Sequence, residues 1–150
     1  MSKTLLIKQL QKKLLKKNKL SFINKKISTL ILITYLLFIV FHVSLLMRFS
    51  SFKEIIAFIK KKPLFTNPMK SDHKKIMYYY ALISSSLRIK NCFHNSICIH
   101  KILKFNSYEP TLHIGVDKID IFKSHAWVQL RSNKIFNSEN GEYNEILVLN

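Results

Sequence analysis

The sequence predicts an α+β fold, with helices first and an antiparallel sheet after them. Through Phe105 the apolar residues fall at helical spacing in successive stretches, interrupted at Pro63, Pro68 and Asn91. After Pro110 the pattern changes to short runs rich in β-branched and apolar residues that partly alternate. Such segregation of helices from strands is the mark of α+β architecture, and 150 residues suffice for one domain with a hydrophobic core.

Residues 1–26 read as a basic amphipathic helix, with Leu6, Leu10 and Leu14 at i, i+4 spacing and nine lysines. That face suits an anionic membrane surface; a solvated helix or frayed tail is the alternative. Ile27 to Met47 is a run of 21 residues without a formal charge, long enough to cross a bilayer. The competing reading is a buried or membrane-associated helix of the domain itself. Lysines flank both ends, so charge sets no orientation. Residues 52–62 form a short amphipathic helix before Pro63, and 63–72 a loop in which Pro68 blocks a continuous helix. These parts make up a basic, hydrophobic N-terminal region, residues 1–72, distinct from a domain over 73–150.

The second region opens with a helix from His73 to Lys90. Asn91 is the N-cap of the next, Cys92 to Phe105, whose apolar stripe runs through Cys98, Ile99, Ile102 and Phe105. His94 and His100 are expected on its surface. Strands follow at Thr111–Val116, Ser124–Leu130, Lys134–Asn137 and Tyr143–Leu149. In the second strand Ala126, Val128 and Leu130 share the aliphatic face, while His125, Trp127 and Gln129 share the other, which could look toward the start of the Cys92 helix.

The charge of +17 is uneven: residues 1–104 hold 21 Lys/Arg against Glu54 and Asp72, and residues 105–150 hold four against six acids. Lysine outnumbers arginine 22 to 3. Three arginines are few for reading bases, so lipid or an acidic peptide is the expected partner and nucleic acid is not. Cys92 and Cys98 point in different directions from one helix, which disfavours a disulfide and suits a reducing compartment.

A cysteine in the first turn of a helix sees the positive end of the macrodipole and unpaired backbone N–H groups, which stabilise a thiolate and can hold an oxyanion. Cys92 is therefore the candidate nucleophile and His125 its candidate base. Cys92, His94, Cys98 and His100 also lie within nine residues, but four ligands on one helix cannot converge on a tetrahedral metal, so no metal is expected.

CFHNSICIHKILKFNSYEPTLHIGV, residues 92–116, followed by KSHAWVQL, resembles the C-terminal domain of lasso-peptide leader peptidases. These are transglutaminase-like processing proteins of microcin-type biosynthesis. The resemblance rests on a helix opening with Cys, then T-L-H-I-G-V and H-A-W-V-Q in order; the N-terminal half is similar only in character. It implies a papain- or transglutaminase-like cysteine protease fold over 73–150, with Cys92 as nucleophile, His125 as general base and acid, and Asn137 where the family's Asp stands. Asn can orient an imidazole through its carbonyl but cannot stabilise the imidazolium by charge. Glu139 is the reserve carboxylate. Gln129 replaces the usual Glu, and Ser107 replaces the glycine that ends the Cys helix, so Asn106 is expected to take the left-handed cap. A three-residue hairpin loop, Ser132 to Lys134, would put Asn137 on the face of His125; a two-residue loop at Ser132 and Asn133 would put it on the other.

The function so implied is removal of the leader from a ribosomally made lasso-type precursor peptide, alongside a leader-recognition protein and an ATP-using lasso cyclase, with no cofactor on this chain. A transglutaminase-like acyl transfer uses the same residues, and a non-catalytic membrane-anchored binding protein uses none. The expected location is cytoplasmic, with either membrane association or a single pass through residues 27–47.

Overall fold

The structure, a computed structural model, describes residues 3–64, 66–67, 70–118, 123–131, 133–136 and 142–150, with side chains from residue 23 onward apart from that of 136. The order is α1 (Lys3–Phe49), α2 (Phe52–Lys60), α3 (His73–Ser86), α4 (Cys92–Phe105), then β1 (Pro110–Asp117), β2 (Ser124–Leu130), β3 (Asn133–Phe136) and β4 (Tyr143–Leu149). The predicted α+β class is the observed one.

The two predicted N-terminal helices are a single one, α1. Neither proline nor glycine occurs before Pro63, so nothing interrupts its hydrogen-bond ladder. Its segment Ile23–Phe49 is the one helix among the described residues long and apolar enough to cross a membrane by length and composition. Yet Leu32, Leu36, Ile39, Val40 and Val43 on one face of it are buried. They join Ile59 of α2, Ile76 and Tyr80 of α3, Ile97, Ile99, Ile102 and Leu103 of α4, and Leu112, Val128 and Leu149 of the sheet in a single core. Residues on both sides of position 72 share it.

Each later helix is bounded by its own residues. Ser51 and Glu54 form a reciprocal capping box that starts α2. Its end is closed by Lys101 of α4, whose Nζ donates to the carbonyls of Ile59 (3.1 Å) and Lys61 (2.6 Å). Helix α3 stops at Ser86 rather than Lys90. Ile89 N–H reaches the Ser84 carbonyl and Arg88 N–H that of Ser85, with Arg88 at φ 53°. Helix α4 spans the predicted residues, and Asn91 Oδ1 accepts the N–H of His94 at 3.0 Å. It ends in the same 6→1 and 5→2 pattern, Tyr108 to Leu103 and Ser107 to Lys104. Ser107, at φ 60°, takes the left-handed position expected of Asn106, which stays at φ −90°. The Asn106 side chain is committed elsewhere: its Oδ1 accepts from Asn67 Nδ2 and from the Ser71 N–H, tying the 63–72 loop to the helix end.

Helix α4 lies in the middle of the molecule, with α1, α2 and α3 on one side and the sheet on the other. His94 and His100, expected at the surface, are therefore buried. The apolar run of α1 supplies a second layer that covers the side of α4 facing away from the sheet.

The sheet is antiparallel in the order β3-β2-β1-β4. Leu112 pairs with Val128 and with Leu149, placing all three against α4, while His113 pairs with Trp127 and Gly115 with His125 on the opposite face. In the β2–β3 hairpin Leu130 pairs with Asn133, with Arg131 at φ 58° and a register shift between Val128 and Gln129. Neither expected loop is the one formed. Asn137 and Glu139 lie outside the described residues.

Candidate active site

Cys92 is the first residue of α4 and His125 the second of β2. The two elements are pinned together one helical turn further in, where Ser96 Oγ donates to the carbonyl of Ala126 at 2.9 Å. Moving back one turn from Ser96 along α4 reaches Cys92, and moving back one residue from Ala126 reaches His125. Both line a cleft of about 300 Å³ together with Phe52, Asn91, Phe93, Ile114, Ser124 and Ala126. Cys92 is partly exposed there.

The route by which His125 reaches this cleft differs from the expectation. Helix α4 packs on the aliphatic face of β2, the one carrying Ala126 and Val128, rather than on the imidazole's face. His125 arrives at the cleft because it stands at the end of the strand, beside the first turn of the helix. Its ring is held on the outer face by stacking, 5.0 Å from Tyr143 and 6.2 Å from Trp127. Trp127 in turn stacks on His113 at 5.3 Å and lies under the Lys134 ammonium at 4.9 Å. These rings cover one another, which is how His113, His125 and Trp127 stay buried on a face that no described helix covers.

Gly115, the partner of His125 across the β1–β2 pair, leaves room for this stack. A Cβ there would stand 2.9 Å from the Asn144 carbonyl oxygen, 3.1 Å from Tyr143 Cβ and 3.2 Å from Trp127. On the far side of Gly115 the register places Glu145. Its Oε1 is 3.1 Å from His113 Nδ1, a close approach that is not aligned as a hydrogen bond. His113, Tyr143 and Glu145 were not singled out from the sequence. The strand alternation puts His113 on the face of His125, but Glu145 joins that row only through the register shift at Ile114 and Gly115, which no local pattern announces.

Cys98 and His94 form a second cysteine–histidine contact, Sγ to Nδ1 at 3.7 Å. Four residues apart, they share one face of α4, and their environment is that of a core. Burial pushes the Cys98 thiol up to about 12, against a smaller pull from Tyr80, and pushes His94 below the ordinary histidine range. Ser44 Oγ lies 2.8 Å from the Val40 carbonyl and 2.9 Å from His94 Nε2. With the hydroxyl proton donated to Val40, Nε2–H donates to Ser44 and Nδ1 is left to accept from the Cys98 thiol. That pair is neutral packing and carries no nucleophile. Among the described residues no group of His, Cys, Asp and Glu could hold a metal ion.

A thiol at a helix start beside a histidine at the end of an antiparallel strand is the layout of papain- and transglutaminase-like folds. The family model described as transglutaminase-like superfamily matches residues 37–148, and the chain belongs to that family. Comparison with curated proteins and with solved structures finds no match.

Proposed function

We propose that the chain is a cysteine peptidase that removes the leader from a ribosomally made lasso-type precursor. The observation that carries this reading is the shared cleft of Cys92 and His125. Deprotonated Cys92 Sγ attacks the scissile carbonyl carbon, and backbone N–H groups at the start of α4 hold the developing oxyanion. His125 gives its proton to the leaving amine as the C–N bond breaks. It then takes a proton from water as that water attacks the thioester, and the carboxylic acid leaves with Cys92 restored. Asn137, at the family's Asp position, orients the imidazole. A leader-recognition protein presents the precursor, and a separate cyclase spends ATP on closing the ring. The domain works in the cytoplasm, where the precursor is made.

Acyl transfer to an amine is the second reading, since the same thioester serves both reactions and only the resolving nucleophile differs. The test is incubation of the purified chain and its leader-recognition protein with precursor, followed by mass spectrometry. Cleavage with gain of one water, abolished by Cys92→Ala and by His125→Ala, supports the peptidase. An amide-linked product supports the transferase. Cleavage that survives Cys92→Ala overturns both.

A further inference from the structure

The side of α1 that the fold leaves uncovered is as apolar as the side it buries. Leu32, Leu36, Ile39, Val40 and Val43 face α4. At about 100° per residue the opposite face carries Ile27, Leu30, Leu37, Phe38, Phe41 and Leu45. All six are exposed, Leu30 at 66 % and Phe41 at 64 %. From Ile27 to Leu45 the stripe runs about 27 Å. An apolar groove of about 500 Å³ lies on it between Leu30, Tyr35, Phe38 and Phe105. Soluble proteins rarely leave so long an apolar stripe to water.

We infer that this face is a docking surface for an anionic lipid bilayer, with α1 lying in the membrane plane rather than crossing it. The inference stands apart from the reaction at Cys92. Crossing conflicts with the packing. Tyr35 stacks on Phe105 of α4 at 3.8 Å, Lys75 of α3 donates to Thr29 Oγ1 at 2.6 Å, and α4 carries the sheet on its other side. A transmembrane α1 would draw this body into hydrocarbon, including the edge strands β3 and β4, whose outer backbone groups would then lose water. Lying in plane, the helix buries the uncovered face and leaves the body wet.

Charge selects lipid over a second copy of the chain. Through residue 62 the sequence has fourteen Lys and Arg and one acid, Glu54. Lys26 and Arg48 are exposed at the two ends of the stripe. Two such faces brought together would set lysine against lysine with no carboxylates between them, whereas anionic headgroups complement them.

The test uses full-length purified protein floated with vesicles of phosphatidylcholine alone or mixed with phosphatidylglycerol. Binding to the mixed vesicles is expected, weaker in high salt and weaker on phosphatidylcholine. Phe38→Asp combined with Phe41→Asp should weaken it about tenfold or more while the thermal melt of the protein persists, because both rings are exposed. Lys26→Glu with Arg48→Glu should weaken the preference for phosphatidylglycerol. In sealed membranes of one orientation from expressing cells, trypsin should cut the lysine-rich segment before residue 27 and the sites after residue 50 from the same side. A flank protected on the opposite side would overturn the in-plane arrangement. Failure of the folded protein to bind either vesicle would overturn the lipid assignment, and a dimer in solution that the Phe38 and Phe41 substitutions dissociate would then identify a second copy as the occupant.

Discussion

Replacing His100 by leucine should make the protein more stable, and increasingly so as the pH falls. His100 is fully buried in the middle of α4, and neither ring nitrogen has a hydrogen-bond partner among the described residues. The Pro110 carbonyl favours the protonated ring slightly without completing an aligned bond. Burial dominates, aided by Lys104 and Lys101, and pushes the imidazole down to about 3. A buried unsatisfied polar group costs about 1–3 kcal/mol, and the change of shape to leucine costs less than about 1.5 kcal/mol. A net gain on the order of 1 kcal/mol at neutral pH follows. The pH dependence is sharper. Between the unfolded value of 6.5 and the folded value of about 3 the unfolded chain binds a proton that the folded chain refuses. Stability contributed by the neutral ring is thus complete above 6.5 and is lost as the pH falls, by roughly 2 kcal/mol at about pH 5. Urea melts of wild type and His100→Leu at neutral pH and about pH 5 isolate this residue, because the other histidines are common to both. The gap between them should widen by roughly 2 kcal/mol on acidification. A constant gap, or a variant less stable than wild type at both pH values, would refute the account of an unpaired buried imidazole.

Three further outcomes follow from particular positions. Ser107→Gly and Arg88→Gly should each stabilise by roughly 1 kcal/mol, read as a raised melting temperature, because they sit at φ 60° and 53° as left-handed helix terminators. Gly115→Ala should cost roughly 1–3 kcal/mol, measured in the same melts, since its Cβ meets a backbone carbonyl that cannot swing aside as a side chain would. Asn137→Ala should lower kcat of precursor cleavage roughly tenfold or more with Asn137→Asp retaining activity, while Glu145→Gln, which loosens the contact to His113, should leave kcat within about threefold; a larger loss in Glu145→Gln would give the orienting role to that carboxylate.

Local signals in the sequence carry the part of the fold that local physics determines. The Asn91 cap and the Cys92–Phe105 helix are set within a few residues, as is the alternation in β2, and all three are observed as expected. That alternation puts His125 on the face away from α4, and its place near the end of the strand is what brings it to the cleft at the helix start. Depth was not legible. Residues 27–47 read equally as a membrane helix or as part of the core, because an apolar run does not say what covers it. Taking that run away from the domain leaves α4 with one apolar stripe and a wet side, so His94 and His100 look like surface residues. Placing α1 against it buries both. The hairpin failed for a related reason: turn length and the shift at Val128 are coupled, and a strand pattern of four residues constrains neither.

The two cysteines of α4 show how position alone divides one residue type into two chemistries. They lie six residues apart on the same helix, each with a histidine near it. Cys98 is in the body of the helix, where every backbone N–H is spent on the ladder and apolar layers close on both sides. An anion there has neither donors nor water, so the thiol keeps its proton to about 12. Cys92 is in the first turn, where the helix has donors its own ladder cannot use, and it opens on a cleft that a substrate can enter. Central burial of α4 serves that end as well. With Lys101 bound to the end of α2, Ser96 to β2 and Asn106 to the loop before α3, the helix cannot slide, and the sulfur at its tip is kept in the cleft that His125 also lines.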